Sequence, residues 1–170
     1  AIAELKLIEE LTKYCSDGNQ SRTFNILDEK MRNVFNSFHL LTSKPILYIA
    51  NISEDEIIEK ENNKYVNDLF NFAQQQGSNA IRICASLEQE IATLPLKEKH
   101  LFLQEYHLKE PGLNKVIKHG FKLLGLQTYF TCGEKEVRSW TIPANSNAPK
   151  AAGAIHTDFE RGFIKAEVFH

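Results

Sequence analysis

Apolar positions recur at helical spacing twice within the first 41 residues. Leu5, Ile8, Leu11 and Cys15 share one face of a predicted helix over residues 4–15, and Asp17-Gly18 supplies its stop. Leu27, Met31, Val34, Phe35, Phe38 and Leu41 repeat the pattern over 27–41, close to a heptad seam but only two heptads long. Two amphipathic helices joined by a polar loop predict an antiparallel helical hairpin. The texture changes at Pro45. Ile46–Ala50 is a continuous apolar run, the mark of a strand buried on both faces. A long acidic loop, Glu54–Asn63, leads into a helix over 63–76 with Tyr65, Val66, Leu69, Phe70 and Ala73 facing inward, and Gly77 ends it. Ala80–Ala85 reads as a second short strand. Strand, helix and strand in succession predict a parallel βαβ unit with a right-handed crossover.

Two more helices are expected, over 97–108 and 112–124. Pro111 opens the second and Gly125 closes it, with Leu113, Val116, Ile117, Phe121 and Leu124 inward. After Gly125 the period becomes two. Residues 127–130 and 137–142 predict a hairpin around Gly133, with Tyr129, Phe130 and Trp140 as core rather than a base-stacking platform. Residues 143–149 read as a loop, 151–156 as a short helix and 163–169 as a third strand.

Composition narrows the class. The 170 residues are 42% hydrophobic and 25% charged, the profile of a soluble globular protein of one domain or two small ones. No apolar run is long enough to span a bilayer, and nothing resembles a signal peptide, so neither membrane nor export is expected. Cys15, Cys84 and Cys132 are odd in number and far apart. They suit a reducing, cytoplasmic setting and read as small buried hydrophobes, with neither a disulfide framework nor a zinc spacing. Residues 45–95 carry three basic and eight acidic side chains, whereas 96–170 carry eleven basic and eight acidic, with five of the six histidines. That excess leans weakly toward RNA phosphates, and on charge alone an ordinary solvated surface is the favoured reading. The helical pattern begins at once and the chain stops at His170 inside a strand-like run, which reads as a piece of a larger protein.

The candidate chemistry lies where strands end. In open α/β sheets ligands bind beyond the carboxyl ends of strands. Asn51-Ile52-Ser53-Glu54 follows the first strand and Cys84-Ala85-Ser86 the second. An asparagine amide can pair with adenine N6 and N7, as it does in DNA readout. Ile52 would cover the base face, Glu54 would complete the frame, and the Ala85 backbone amide would meet the base edge. The alternative is an Asx-turn or helix cap after a strand. Elsewhere the sequence offers less. There is no G-x-x-x-x-G-K-[ST] loop to cradle phosphates. Glu88 and Glu90, two apart, would not share a helix face. His100 and His107 read as a surface pair rather than a metal site. His156 and Asp158 read as a helix cap in preference to an acid–base pair. No catalytic residue and no metal ligand is assigned within these residues.

Longer strings carry a resemblance. Gly125–Thr131, Glu136–Ile142, Ala148–Ala152 and His156–Ile164, together with Lys44–Asn51 and the Cys84-Ala85 segment with Glu88, Glu90 and Ile91, resemble the YchF subfamily of Obg-like ATPases. The resemblance weakens over residues 1–43. It implies a fold of mixed α+β and α/β class in three parts. Residues 1–43 would end a helical coiled-coil arm, and 44–124 would hold the βαβ end of a P-loop G-domain with connecting helices. Residues 125–170 would form a TGS domain of β-grasp, ubiquitin-like type, truncated at its C-terminal end. In this subfamily the base-reading motif is N-x-x-E, here Asn51 and Glu54, and ATP is preferred, with GTP as the alternative. The segment at Cys84, Ala85 and Ser86 would correspond to the next base-contacting motif. The resemblance further implies an ATP-hydrolysing regulator that binds the ribosome, its large subunit or RNA, through the TGS domain and the arm, with no DNA partner. Magnesium and hydrolysis would belong to the full-length protein only. The competing reading is a non-enzymatic RNA-, ribosome- or protein-binding module.

Overall fold

The computed structural model describes residues 2–59 and 62–169. Contacts divide the chain into two compact units, one up to Ile46 and one from Leu47 onward.

The first unit holds helices α1 (Ile2–Ser16) and α2 (Glu29–Ser37). Asp28 caps α2, its carboxylate accepting the Lys30 amide at 2.7 Å, so this helix starts two residues later than its apolar pattern. Leu7, Leu11, Ile26 and Phe35 form the core, with Phe24, Met31, Val34 and Phe38 packed against it. The expected inward face of α1 is thus rotated. Leu11 is buried, but Leu5 is 57% exposed and Ile8 is also largely open. The reason lies in the connecting loop, which sends Phe24 and Ile26 onto the Leu7 side and leaves Leu27 outside.

The second unit contains two separate two-stranded sheets. Strand β1 (Leu47–Asn51) pairs in parallel with β2 (Asn79–Ile83), in the register Ile49↔Ile81 and Asn51↔Ile83. Between them run α3 (Glu54–Ile58) and α4 (Lys64–Gln75). Asn63 caps α4 through the Val66 amide at 2.8 Å. Its end is closed by Gly77 at φ +63°, with Ser78 N–H donating to Ala73 O at 2.8 Å. Ala50 and Ile52 pack on Val66, Leu69 and Phe70 of α4, while Tyr65 faces solvent. The strand is not buried on both faces, since Ile49 is 43% exposed. Alternation places Tyr48 and Ala50 toward α4 and Ile49 on the opposite face.

Three helices follow: α5 (Ala85–Thr93), α6 (Leu96–Glu105) and α7 (Gly112–Leu123). The sequence pattern missed α3 and α5, giving residues 54–63 as loop. Helix α5 buries Leu87 and Ile91 against Cys84, Phe102, Leu103 and Tyr106. Helix α6 stops three residues before its expected end. His107 takes φ +53°, and Leu108 N–H reaches back to Leu103 O at 2.8 Å. On α7, Leu113, Ile117 and Leu124 are exposed instead of inward.

The expected hairpin forms from β3 (Leu126–Cys132) and β4 (Val137–Pro143), antiparallel and with Tyr129 opposite Trp140. Phe130 departs from the core expectation and is 71% exposed. Helix α8 (Ala148–Ile155) begins earlier than expected, because Asn147 caps it and Pro149 fits its first turn. A short helix α9 (Thr157–Arg161) follows. Residues 163–169 are not a strand; they carry no regular structure, and Ile164 and Val168 are exposed. Their alternating pattern finds no strand to pair with among the described residues, and an isolated strand cannot satisfy its backbone.

Candidate functional site

The carboxyl ends of β1 and β2 lie side by side because the strands are parallel. The ladder continues one step past β1, with Ile52 N–H donating to Ile83 O at 2.9 Å. A helix starts immediately beyond each strand. Ser53 caps α3 in a reciprocal box with Glu56: Ser53 Oγ accepts the Glu56 amide, and Glu56 Oε2 accepts the Ser53 amide at 2.9 Å. Cys84 stands at the N-cap of α5. Glu54 and Ser86 therefore occupy the first turns of neighbouring helices.

Two side-chain bonds join the turns. Asn51 Oδ1 accepts the Ala85 amide at 3.0 Å. Ser86 Oγ donates to Glu54 Oε1 at 2.9 Å and lies 3.1 Å from Cys84 Sγ. The six residues singled out from sequence thus come together, but not in the roles expected for all of them. Asn51, Ala85 and Ser86 are exposed and Glu54 is half-buried. Ile52 is buried in the α4 cluster, so it supports the rim from below instead of offering a face to a base. Cys84 is 2% exposed and belongs to the α5 core, whereas Cys15 and Cys132 are exposed, against the expectation of burial. The Ala85 amide, expected at the base edge, donates here to Asn51. Since Asn51 Oδ1 is engaged, the free pairing capacity of that amide is its Nδ2 donor. The capping alternative is also realised, at Ser53, without displacing Asn51.

Sequence reasoning missed Tyr106 here, and it missed the role of Glu88. Tyr106 packs against Cys84 and Leu87. Its phenol is pushed above the ordinary range, first by burial and then by the carboxylates of Glu54 and Glu90. Glu88 grips the start of α7, accepting the Gly112 amide at 2.5 Å and the Leu113 amide at 3.0 Å. A negative charge at a helix N-terminus is favourable. Glycine permits this close approach: a Cβ at position 112 would lie 2.8 Å from Glu88 Oε1 and 3.2 Å from the Ile83 side chain, so a larger residue would push the carboxylate aside.

The Ribosome-binding ATPase YchF of Pasteurella multocida is 46% identical over 165 residues, covering 97% of this chain and 44% of that protein. The Ribosome-binding ATPase YchF of Bacillus subtilis is 44% identical over 167 residues, covering 98% of this chain and 45% of that protein. Residues 126–170 match the YchF-GTPase_C family, described as a protein of unknown function (DUF933). The chain belongs to the YchF family. It spans less than half the length of the curated YchF relatives it matches. The solved structure of the Schizosaccharomyces pombe YchF GTPase superposes with a TM-score of 0.80 at 33% identity, covering 95% of this chain and 43% of that one.

The remaining candidates of this YchF-family chain are structural. His156 caps α9, its Nδ1 accepting the Asp158 amide at 3.2 Å. His100 and His107 are exposed, and His100 bonds Gln104 on its own helix. Among the described residues no group of three or more His, Cys, Asp or Glu is arranged for a metal. No described helix is long and apolar enough to cross a membrane.

Proposed function

We propose that the β1–β2 strand ends form the base-reading end of a purine-nucleotide site, in a cytoplasmic ATP-hydrolysing protein that associates with ribosomes. ATP is the ligand and GTP the weaker alternative. Residues 44–124 are the end of a P-loop G-domain, 125–170 a TGS domain of β-grasp type, and 1–43 the end of a helical arm. The arm and the TGS part supply the contact to the large subunit, through RNA or protein. The phosphates and magnesium are held by residues outside this sequence, which has no phosphate loop.

The observation that carries the reading is the interlock of Asn51 with Ala85 and of Glu54 with Ser86 at the rim. It holds a donor and a carboxylate at the place where α/β sheets bind ligands. The names and identities of the relatives support the same reading. Replacing Asn51 with Ala in the full-length gene product removes the base donor and the acceptor for Ala85. Calorimetric titration is expected to show ATP binding weakened about tenfold or more. Unchanged ATP affinity overturns the assignment.

A further inference from the structure

We propose that Ser86 sets the purine preference of this site, as a positioning residue that holds Glu54 as an acceptor for the 6-amino group of adenine. The proposal rests on the nucleotide reading above and follows from where each polar hydrogen is spent.

The Ala85 amide donates to Asn51 Oδ1 at 3.0 Å, which decides the orientation of the Asn51 amide. Its Nδ2 is turned away from Ala85 and has no partner among the described residues. Glu54 Oε1 receives the Ser86 hydroxyl at 2.9 Å, and Glu54 Oε2 has no partner among the described residues. A hydroxyl has one proton. With it committed to Glu54, the Ser86 oxygen faces Cys84 Sγ at 3.1 Å as an acceptor. The thiol is the donor in that contact, and Cys84 is packed at 2% exposure, so the start of the relay is fixed by the core. The chain of bonds therefore runs one way, from Cys84 to Ser86 to Glu54.

What is left at the rim is one donor on Asn51 and one acceptor on Glu54. Adenine presents an N7 acceptor beside an N6 donor, whereas guanine presents two acceptors, N7 and O6. Adenine complements the pair. A 6-oxo purine sets its O6 against a carboxylate oxygen with no proton between them, and an unpaired polar contact of this kind is costly. Glu54 can discriminate only if it stays in place. A glutamate at a solvated rim has ample rotamer freedom to swing away from an unfavourable partner. The Ser86 bond removes that freedom.

The test is calorimetric titration of the full-length gene product and its Ser86→Ala and Ser86→Thr variants. The ligands are ATP, ITP and purine riboside triphosphate, which carry a 6-amino group, a 6-oxo group and no 6-substituent. Ser86→Ala is expected to weaken ATP about fivefold to tenfold and to compress the ATP-to-ITP ratio by a similar factor. Its affinity for purine riboside triphosphate is expected to stay within about twofold of the parent. Ser86→Thr keeps the hydroxyl and should restore the parental ratio. Equal weakening of all three ligands by Ser86→Ala marks a merely structural role and overturns the proposal. So does an unchanged ATP-to-ITP ratio, and if Asn51→Ala still weakens ATP the nucleotide reading stands alone. A parent protein that binds no ATP overturns both.

Discussion

In the parallel pair β1–β2, the residues that meet at the strand ends are far apart in the chain: Asn51 and Ala85 are separated by 34 positions, Glu54 and Ser86 by 32. In the antiparallel pair β3–β4, the strands are joined by residues 133–136 alone, and polar side chains are satisfied close by. Trp140 Nε1 donates to Thr131 Oγ1 across the hairpin at 2.9 Å, and the Arg138 guanidinium lies 4.3 Å over the Trp140 ring. Tyr129 donates its hydroxyl to Ala151 O at 2.8 Å. The difference follows from connectivity. A parallel pair requires a long crossover, so two independent loops converge at its carboxyl end. Each loop brings polar atoms that satisfy one another only in part. A hairpin meets its own neighbours and leaves little to offer.

Four changes would break or sharpen that contrast. The largest effect is expected at Leu87, 1% exposed in the core beneath the strand ends. Leu87→Ala should cost about 2–5 kcal/mol in urea unfolding, whereas Phe130→Ser on the open face of the hairpin should stay within about 0.5 kcal/mol. If both cost the same, the two sheets do not differ in how deeply they are anchored.

Next is the carboxylate that holds α7. Glu88→Ala leaves the Gly112 and Leu113 amides without their acceptor and should cost about 1–2 kcal/mol by thermal or urea unfolding. Glu88→Gln keeps an acceptor but loses the charge, and should fall between parent and alanine variant. A silent Glu88→Ala would mean that α7 is held by packing alone.

Thr131→Val tests the hairpin's self-sufficiency. It strips the acceptor from the half-buried Trp140 indole and should cost about 1 kcal/mol, while the nucleotide binding proposed above for the full-length protein stays at the parental value. A change in nucleotide binding would couple the two sheets.

The smallest effect concerns Glu56. Its carboxyl lies below the ordinary glutamate range, first because of the Ser53 backbone N–H and then through Asn63 and the Ser53 hydroxyl. A depressed folded-state value contributes stability that is fully present above the unfolded glutamate range and is lost as pH falls through the folded value. Carboxyl NMR titration should therefore place the Glu56 midpoint below those of solvated glutamates. The start of α3 should loosen only at pH values under the ordinary glutamate range. A Glu56 midpoint in the ordinary range removes the reciprocal cap.

Local chemistry made much of this molecule readable. The helix after Asn63, the hairpin around Gly133 and both β1–β2 strands follow from spacing and from stops such as Gly77. Signals for the missed helices were also present: Ser53 and Glu56 stand at capping-box spacing, and Leu87 and Ile91 are four apart. The strand expected over 163–169 shows the limit of alternation, which marks a chain able to pair but names no partner. The position and composition of the candidate site were likewise set by sequence, since strand ends and residue types are local properties. Tertiary structure decided how each atom there is used. It turned Ile52 into the core, spent the Ala85 amide on Asn51, and tied Glu54 to Ser86. Those outcomes depend on which groups arrive from more than thirty residues away, and on there being one proton per hydroxyl and one hydrogen per amide N–H to share between them.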